Sequence, residues 1–160
     1  MSKFEVLAIV GVMGIFGVIA GVAVLNARER VRDTARLSQI RDVQEGLESY
    51  FTDHSAYPAT SEQIALGQST SLCLSNDGFA CTVAPENAYL DVVPSPPASG
   101  LKGKSSCSGI ANAYCYESDA AGYRLQFELE SGNALLQLTK GVNCANETKL
   151  LPGACAAYSH

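Results

Sequence analysis

The chain opens with a hydrophobic segment of membrane length. Residues 6–25 contain no charged side chain, and Lys3 and Glu5 lie just before them. As a helix this segment would measure about 30 Å, which matches the hydrocarbon layer of a bilayer. A signal peptide is the alternative, but the chain continues into residues 26–51 without an A-x-A-like cleavage site. The pattern therefore favours a retained membrane helix.

A helical period of apolar residues follows this segment. These residues recur at three- and four-residue steps, and we expect them to pack on the distal part, with arginines and acids on the opposite face. They are Val31, Ala35, Ile40, Val43, Leu47, Tyr50 and Phe51. The first proline, Pro58, disfavours helical geometry at Tyr57. The sequence thus predicts one helix from residue 1 to about residue 52.

Alternating apolar and polar positions in the distal part predict an antiparallel sheet with one face in solvent. The segments with this alternation are 113–118 (AYCYES), 122–131 (GYRLQFELES) and 134–140 (ALLQLTK). In the second segment, one face of the strand is expected to pack on the helix, and the other, the wet face, to be exposed to solvent. The packed face comprises Tyr123, Leu125, Phe127 and Leu129, and the wet face comprises Arg124, Gln126, Glu128 and Glu130.

The connections complete an α+β prediction. Ser131–Asn133 predicts a tight turn between the second and third strands, and Gln63–Ser108 predicts loops. We therefore expect one long helix packed on a small antiparallel sheet, with the loops held by disulfides.

Six cysteines lie in the distal part, and an even count there indicates disulfides formed in an oxidising compartment. Zinc is disfavoured because no C-x-x-C pair occurs. Sequential pairing is the simplest of the fifteen connectivities, and crossed pairing stays open. Sequential pairing predicts Cys73–Cys81, Cys107–Cys115 and Cys144–Cys155.

The charges are unevenly distributed. Residues 28–41 contain five arginines and two acids, whereas the chain from Asp42 onward has thirteen acids and five lysines or arginines. A basic block beside a membrane span is typical of the cytoplasmic side, which conflicts with the disulfides. The block has three interpretations: a solvated helix face, a contact for the acidic part of neighbouring subunits, or nucleic-acid binding. We favour the subunit contact, made by Arg28, Arg30, Arg32 and Arg36.

Several of these features together resemble type IV pilins and the related type II secretion pseudopilins. They are Glu5 at the fifth position, the apolar run EVLAIVGVMGIFGVIAG, the amphipathic half-helix ending at Tyr57–Pro58, and the segments YLDVVPSPPAS and YCYESDAAGYRLQFELESG. Val22 stands where many pilins have a proline. The family's acidic calcium-binding loop has no counterpart near the C-terminus, which favours a pilin over a pseudopilin.

The resemblance implies a pilin fold in three parts. Residues 1–27 form the transmembrane or filament-core helix, residues 28–52 form the amphipathic half of the same helix, and residues 53–160 form an extracellular head. The family's basic leader is missing, so the resemblance implies a processed chain whose first residue, Met1, carries a methylated amine. Glu5 would pair with the amine of Met1 in the next subunit. Small residues would let helices approach closely, at Gly11, Gly14, Gly17 and Gly21.

The expected function is that of a structural subunit, not of an enzyme. It would polymerise through its N-terminal helix into a pilus used for adhesion, motility or DNA uptake. The implied partners are copies of itself, the prepilin peptidase and the assembly machinery, with the inner membrane before assembly and the cell surface afterwards. We expect no cofactor, metal or catalytic residue. The alternatives are a secretion pseudopilin and a membrane-anchored extracytoplasmic binding module that does not polymerise.

Overall fold

The fold was analysed in a computed structural model that describes residues 3–83, 85–97 and 99–156. Helix α1 spans Lys3–His54 and would measure about 78 Å at 1.5 Å per residue. Ser55 ends it with a positive φ of 55°, and its amide N–H donates to the Phe51 carbonyl at 2.7 Å. The prediction of one long N-terminal helix is confirmed, and the helix ends two residues later than expected.

Nine short strands follow α1 within the described residues. They are β1 (Ile64–Ala65), β2 (Cys73–Ser75), β3 (Gly78–Cys81), β4 (Ser106–Cys107), β5 (Ile110–Ala111), β6 (Cys115–Ser118), β7 (Tyr123–Leu129), β8 (Gly141–Ala145) and β9 (Leu150–Pro152). The main sheet is antiparallel with the order β1-β6-β7-β8-β9. Strands β2–β3 and β4–β5 form separate two-stranded hairpins. The α+β layout is thus confirmed.

The core lies between α1 and the main sheet. Ile40, Val43 and Leu47 on the helix are wholly buried. The packed face of β7 is buried as predicted, at Tyr123, Leu125, Phe127 and Leu129. Strand β7 runs opposite to the helix, because Tyr123 at its start contacts Gln44 whereas Glu130 just after its end contacts Arg32 and Arg36.

The packed stripe of α1 differs from the predicted one at its N-terminal end. Val31 is 69% exposed and Ala35 is also exposed, whereas Asp33, Arg36 and Leu37 are buried. The expectation that charged residues lie only on the opposite helix face is wrong here. The buried charges are tolerated because carboxylates of the head and of the helix surround the guanidinium, as described below.

The prediction of a third strand at residues 134–140 is also wrong. This segment is a turn closed by a bridge between Asn133 and Leu138, and the Asn133 side chain accepts a hydrogen bond from the Leu136 amide at 3.1 Å. The asparagine thus stabilises a turn where the leucine pattern indicated a strand. The strand that pairs with β7 begins only at Gly141.

The prediction of loops throughout Gln63–Ser108 is wrong where β1, β2, β3 and β4 occur. Each of these strands has only two to four residues, which is too short for alternation to be visible in the sequence.

The structure contains three disulfides, which join the pairs named by sequential pairing. They are Cys73–Cys81, Cys107–Cys115 and Cys144–Cys155. The first joins residues paired across β2 and β3. The third ties β8 to the segment that follows the edge strand β9, so it fixes the tail to the main sheet.

Replacing Cys144 and Cys155 together by serine should lower the free energy of unfolding by about 2–3 kcal/mol, because the unfolded chain loses a closed loop. Urea unfolding of the full chain in detergent, followed by circular dichroism, measures the difference. Peptide mapping of the variant should show the other two bridges intact. An unchanged unfolding midpoint would contradict a stabilising role for this bridge.

Candidate functional site

Most of the N-terminal half of α1 is exposed. All side chains from Val10 to Leu25 are exposed, and so are Phe4 and Leu7. By length and composition this part of the helix can cross a membrane, and none of its most apolar window is buried in the chain. A signal sequence would meet the same criterion. We call residues 3–27 the apolar half-helix. Such a large exposed apolar surface is typical of a surface covered by lipid or by other protein.

The predicted assembly residues that the structure describes lie on this surface. The Glu5 side chain is exposed near the start of the helix. Met1, the predicted processed and methylated residue, lies outside the described residues. A Cβ added at Gly11, Gly14, Gly17 or Gly21 would meet no atom within 4 Å. Contacts within the described part of the chain therefore do not require these glycines. Gly46, farther along the helix, differs because a Cβ there would lie 3.3 Å from Leu90 Cβ.

A buried ionic cluster joins the C-terminal half of the helix to the base of the head. Its members are Arg32, Asp33, Arg36 and Glu130, two cations and two carboxylates. Arg36 is wholly buried, and its Nη1 donates to Asp33 Oδ1 at 2.9 Å and to Glu130 Oε1 at 2.7 Å. Its Nη2 donates to the carbonyl oxygens of Pro97 and Ser99. The cluster thus connects the helix to two separate segments of the head.

The two carboxylates have further partners. Asp33 accepts hydrogen bonds from the amides of Glu130 and Ser131, each at 2.8 Å, so it caps the end of β7. Glu130 accepts hydrogen bonds from Arg32 Nε at 2.6 Å and from Arg32 Nη2, so the two side chains form a bidentate pair. The hydrogen bond from Arg32, and then that from Arg36, hold the pKa of Glu130 below its ordinary value, although burial acts in the opposite direction.

A neighbouring glycine leaves room for the cluster. Gly100 has a φ of +81°, and a Cβ at this position would overlap the Glu130 carboxylate. Glu128, two residues earlier, is also buried and accepts hydrogen bonds from the amides of Lys102 and Lys104 at 2.8 and 2.7 Å. The predicted wet face of β7 is therefore wrong at Glu128 and Glu130, because arginines and backbone amides compensate their burial.

The cluster also corrects the interpretation of the arginine block. Arg36 is wholly buried, so the prediction that it contacts neighbouring subunits is wrong. Arg32 pairs with Glu130 of its own chain, with 28% of its side chain exposed. Arg28 and Arg30 are exposed, and a subunit contact there stays a prediction. Sequence analysis missed Asp33, Glu130 and Gly100. The one local signal was the Asp33–Arg36 spacing, which places both side chains on one helix face.

The head carries an open cleft of about 700 Å³ between β1 and the β2–β3 hairpin. Its walls combine polar residues, such as Thr60, Gln63 and Asn76, with about as many apolar ones, and Glu62 and Asp77 are its acids. It lies beside the C-terminal end of α1, where Tyr50 lines it, and away from the ionic cluster. It is a second candidate site.

Comparisons of the chain with protein-family models, with curated proteins and with solved structures gave no match. The long apolar helix and the disulfides are compatible with a membrane or extracellular location. The function of the site is therefore inferred from its own residues and geometry, together with the sequence features that resemble pilins.

Gly100→Ala should lower the free energy of unfolding by about 1–3 kcal/mol more than Gly109→Ala does, because the added methyl group displaces the Glu130 carboxylate. Gly109 is the matched control, since its φ of +76° is similar but a Cβ there would meet no atom within 4 Å. Urea unfolding of both variants gives the difference. Equal losses would show that Gly100 is required only by its backbone conformation.

Glu130→Gln should lower the free energy of unfolding by about 3–5 kcal/mol at neutral pH, because it removes a negative charge that compensates the buried Arg36. The folded pKa of Glu130 is below its ordinary value of 4.5, so its ionised form stabilises the protein above that pH. This stabilisation is lost as the pH falls through the folded pKa. The gap between wild type and variant should therefore shrink in acid. A gap that stays constant down to pH values well below 4.5 would contradict this.

Proposed function

We propose that this chain is a type IV pilin, a structural subunit that polymerises through its apolar half-helix into an extracellular filament. The observation that carries the proposal is the continuity of α1. One half of this single helix is exposed and apolar, and the other half is fixed to the head by a packed core and a buried ionic cluster. Before assembly the apolar half-helix lies in the inner membrane, and in the filament it packs against the same half of other copies.

The exposed surface of the half-helix suits both environments. Its large side chains are apolar enough for lipid, and its four glycines allow helix axes to come close in a bundle. A glycine also costs up to about 1 kcal/mol of helix stability relative to alanine. Since no contact among the described residues uses these glycines, packing between subunits supplies a reason for them.

Glu5 would set the position of each subunit along the filament. An ionised carboxylate at the depth of hydrocarbon costs about 2.5–3.5 kcal/mol on insertion scales, and a cation supplied by a neighbouring subunit would offset this cost in the filament core. We infer that the partner is the N-terminal amine of the adjacent subunit. A buried ion pair of this kind favours one axial register over its neighbours, as buried polar groups do in coiled coils.

The second candidate function is a membrane-anchored binding module that does not polymerise. The cleft beside β1 favours it, because about 700 Å³ is large enough for a small polar ligand. A simple anchor, however, has no use for a carboxylate at the fifth position or for glycines that no contact requires. Filament formation separates the two candidates.

Glu5→Gln and Glu5→Ala should leave the head folded and the chain in the membrane, but should reduce surface filaments by tenfold or more. Breaking a buried ion pair costs about 3–5 kcal/mol per subunit, which is more than enough for this effect. Filaments are counted by electron microscopy, and membrane levels by immunoblotting.

Glu45→Gln is the matched control, because Glu45 is an exposed acid on the same helix outside the apolar half-helix. Normal filament number and length in the Glu5 variants would overturn the role of Glu5. Loss of filaments in the Glu45 variant as well would show that the assay responds to any loss of helix charge.

A further inference from the structure

Three exposed lysines surround a shallow cavity at the base of the head. We call Lys102, Lys104 and Lys140 the lysine patch. Together with Arg32 they line a cavity of about 250 Å³. They are three of only five lysines and arginines in residues 53–160, which are otherwise acidic. This concentration is unexpected for a solvated surface of an acidic domain.

The acids that line the same cavity are Glu29, Glu128 and Glu130. Glu128 is buried and accepts backbone N–H groups, and Glu130 is buried against Arg32 and Arg36. Glu29 on the helix is half-buried. The most exposed charged residues that line the cavity are therefore the three lysines, whose ammonium groups can meet an external anion.

The cavity lies close to the end of the apolar half-helix. Glu29 is four residues beyond Leu25 and Arg32 is seven residues beyond it, which corresponds to about 6 and 10 Å along the helix. The headgroup layer on each side of a bilayer is about 5–8 Å thick. With the half-helix in a membrane, the helix wall of the cavity starts at the level of the lipid phosphates.

An exposed leucine lies at the same end of the head. Strand β7 runs toward the base, where Asp33 caps it, and the turn closed by Asn133 and Leu138 follows directly. Leu135 in this turn is 96% exposed. An exposed apolar side chain at the same end of a domain as exposed lysines is the combination found on surfaces that lie at the boundary of headgroups and acyl chains.

We propose that the lysine patch binds the phosphates of anionic phospholipids while the subunit is in the membrane. The inference rests on the membrane anchoring in the proposed function. Lipid is the occupant because the helix wall of the cavity starts at headgroup height, so phosphates are within reach of the patch before any neighbouring subunit arrives. The attraction acts within a Debye length and would fix the head against the membrane surface.

Chemical acetylation of the full chain tests this. The chain is reconstituted into vesicles of phosphatidylcholine alone and into vesicles with one third phosphatidylglycerol, and the rate at each lysine is followed by mass spectrometry. In the anionic vesicles the three patch lysines should react about fivefold more slowly. The difference should disappear in about 1 M salt, where the Debye length is about 3 Å.

Lys149 is the internal control. It is exposed on the turn between β8 and β9, beside Asn146, whose carbonyl accepts a hydrogen bond from Gln44. Gln44 is twelve residues beyond Arg32, or about 18 Å farther from the membrane along the helix. The rate of acetylation at Lys149 should be the same in both kinds of vesicle.

Equal rates at the patch lysines in the two lipids would overturn the proposal. Protection in phosphatidylcholine that rises with protein density would assign the patch to an acidic face of a second copy, which also overturns it. Equal protection by inorganic phosphate would indicate a free-anion site instead. A chain that does not float with vesicles overturns both this inference and the membrane anchoring, whereas a floating chain without protection overturns this inference alone.

Discussion

Burial of the Arg36 guanidinium constrains the whole base of the head. An uncompensated charge at this depth would cost several kcal/mol, so the surrounding segments must bring oxygens to it. Asp33 comes from the preceding helical turn, Glu130 from the end of β7, and two carbonyls from residues 97 and 99. Gly100 is then needed to leave space for Glu130. A buried ion cluster is weak evidence for stability, but this one fixes how the helix and the sheet are aligned.

The alignment of helix and sheet matters because, among the described residues, the apolar half-helix is joined to the head only through the C-terminal half of α1. Between Lys3 and His54 the helix is uninterrupted, so fixing its C-terminal half also fixes the direction in which the apolar half-helix leaves the head. A helical polymer requires every copy to present its surfaces in the same geometry. A rigid junction near the middle of the helix is therefore consistent with assembly, and it gives part of the arginine-rich block after the apolar half-helix a structural role. Two of those arginines serve the fold of their own chain.

The sequence was most informative where a long pattern had one physical cause. The apolar run, the long helix, the packed face of β7 and the local disulfide pairs could all be predicted from residue type and spacing. The errors occurred where a distant partner decides the outcome. Glu130 looks solvated until Arg32 and Arg36 are placed beside it, and the leucines of residues 134–140 look like a strand until the Asn133 side chain closes a turn. The alternation of apolar and polar residues within one segment does not show which distant side chains will contact it.

The central claim is that this chain forms filaments through its N-terminal helix. Electron microscopy of sheared surface material, combined with intact-mass analysis of the protein in it, tests the claim most directly. The account predicts filaments composed of this chain, beginning at Met1 with a methylated amine and carrying three disulfides. A chain found only in the membrane fraction, with no filament containing it, would contradict the account and favour the anchored binding module.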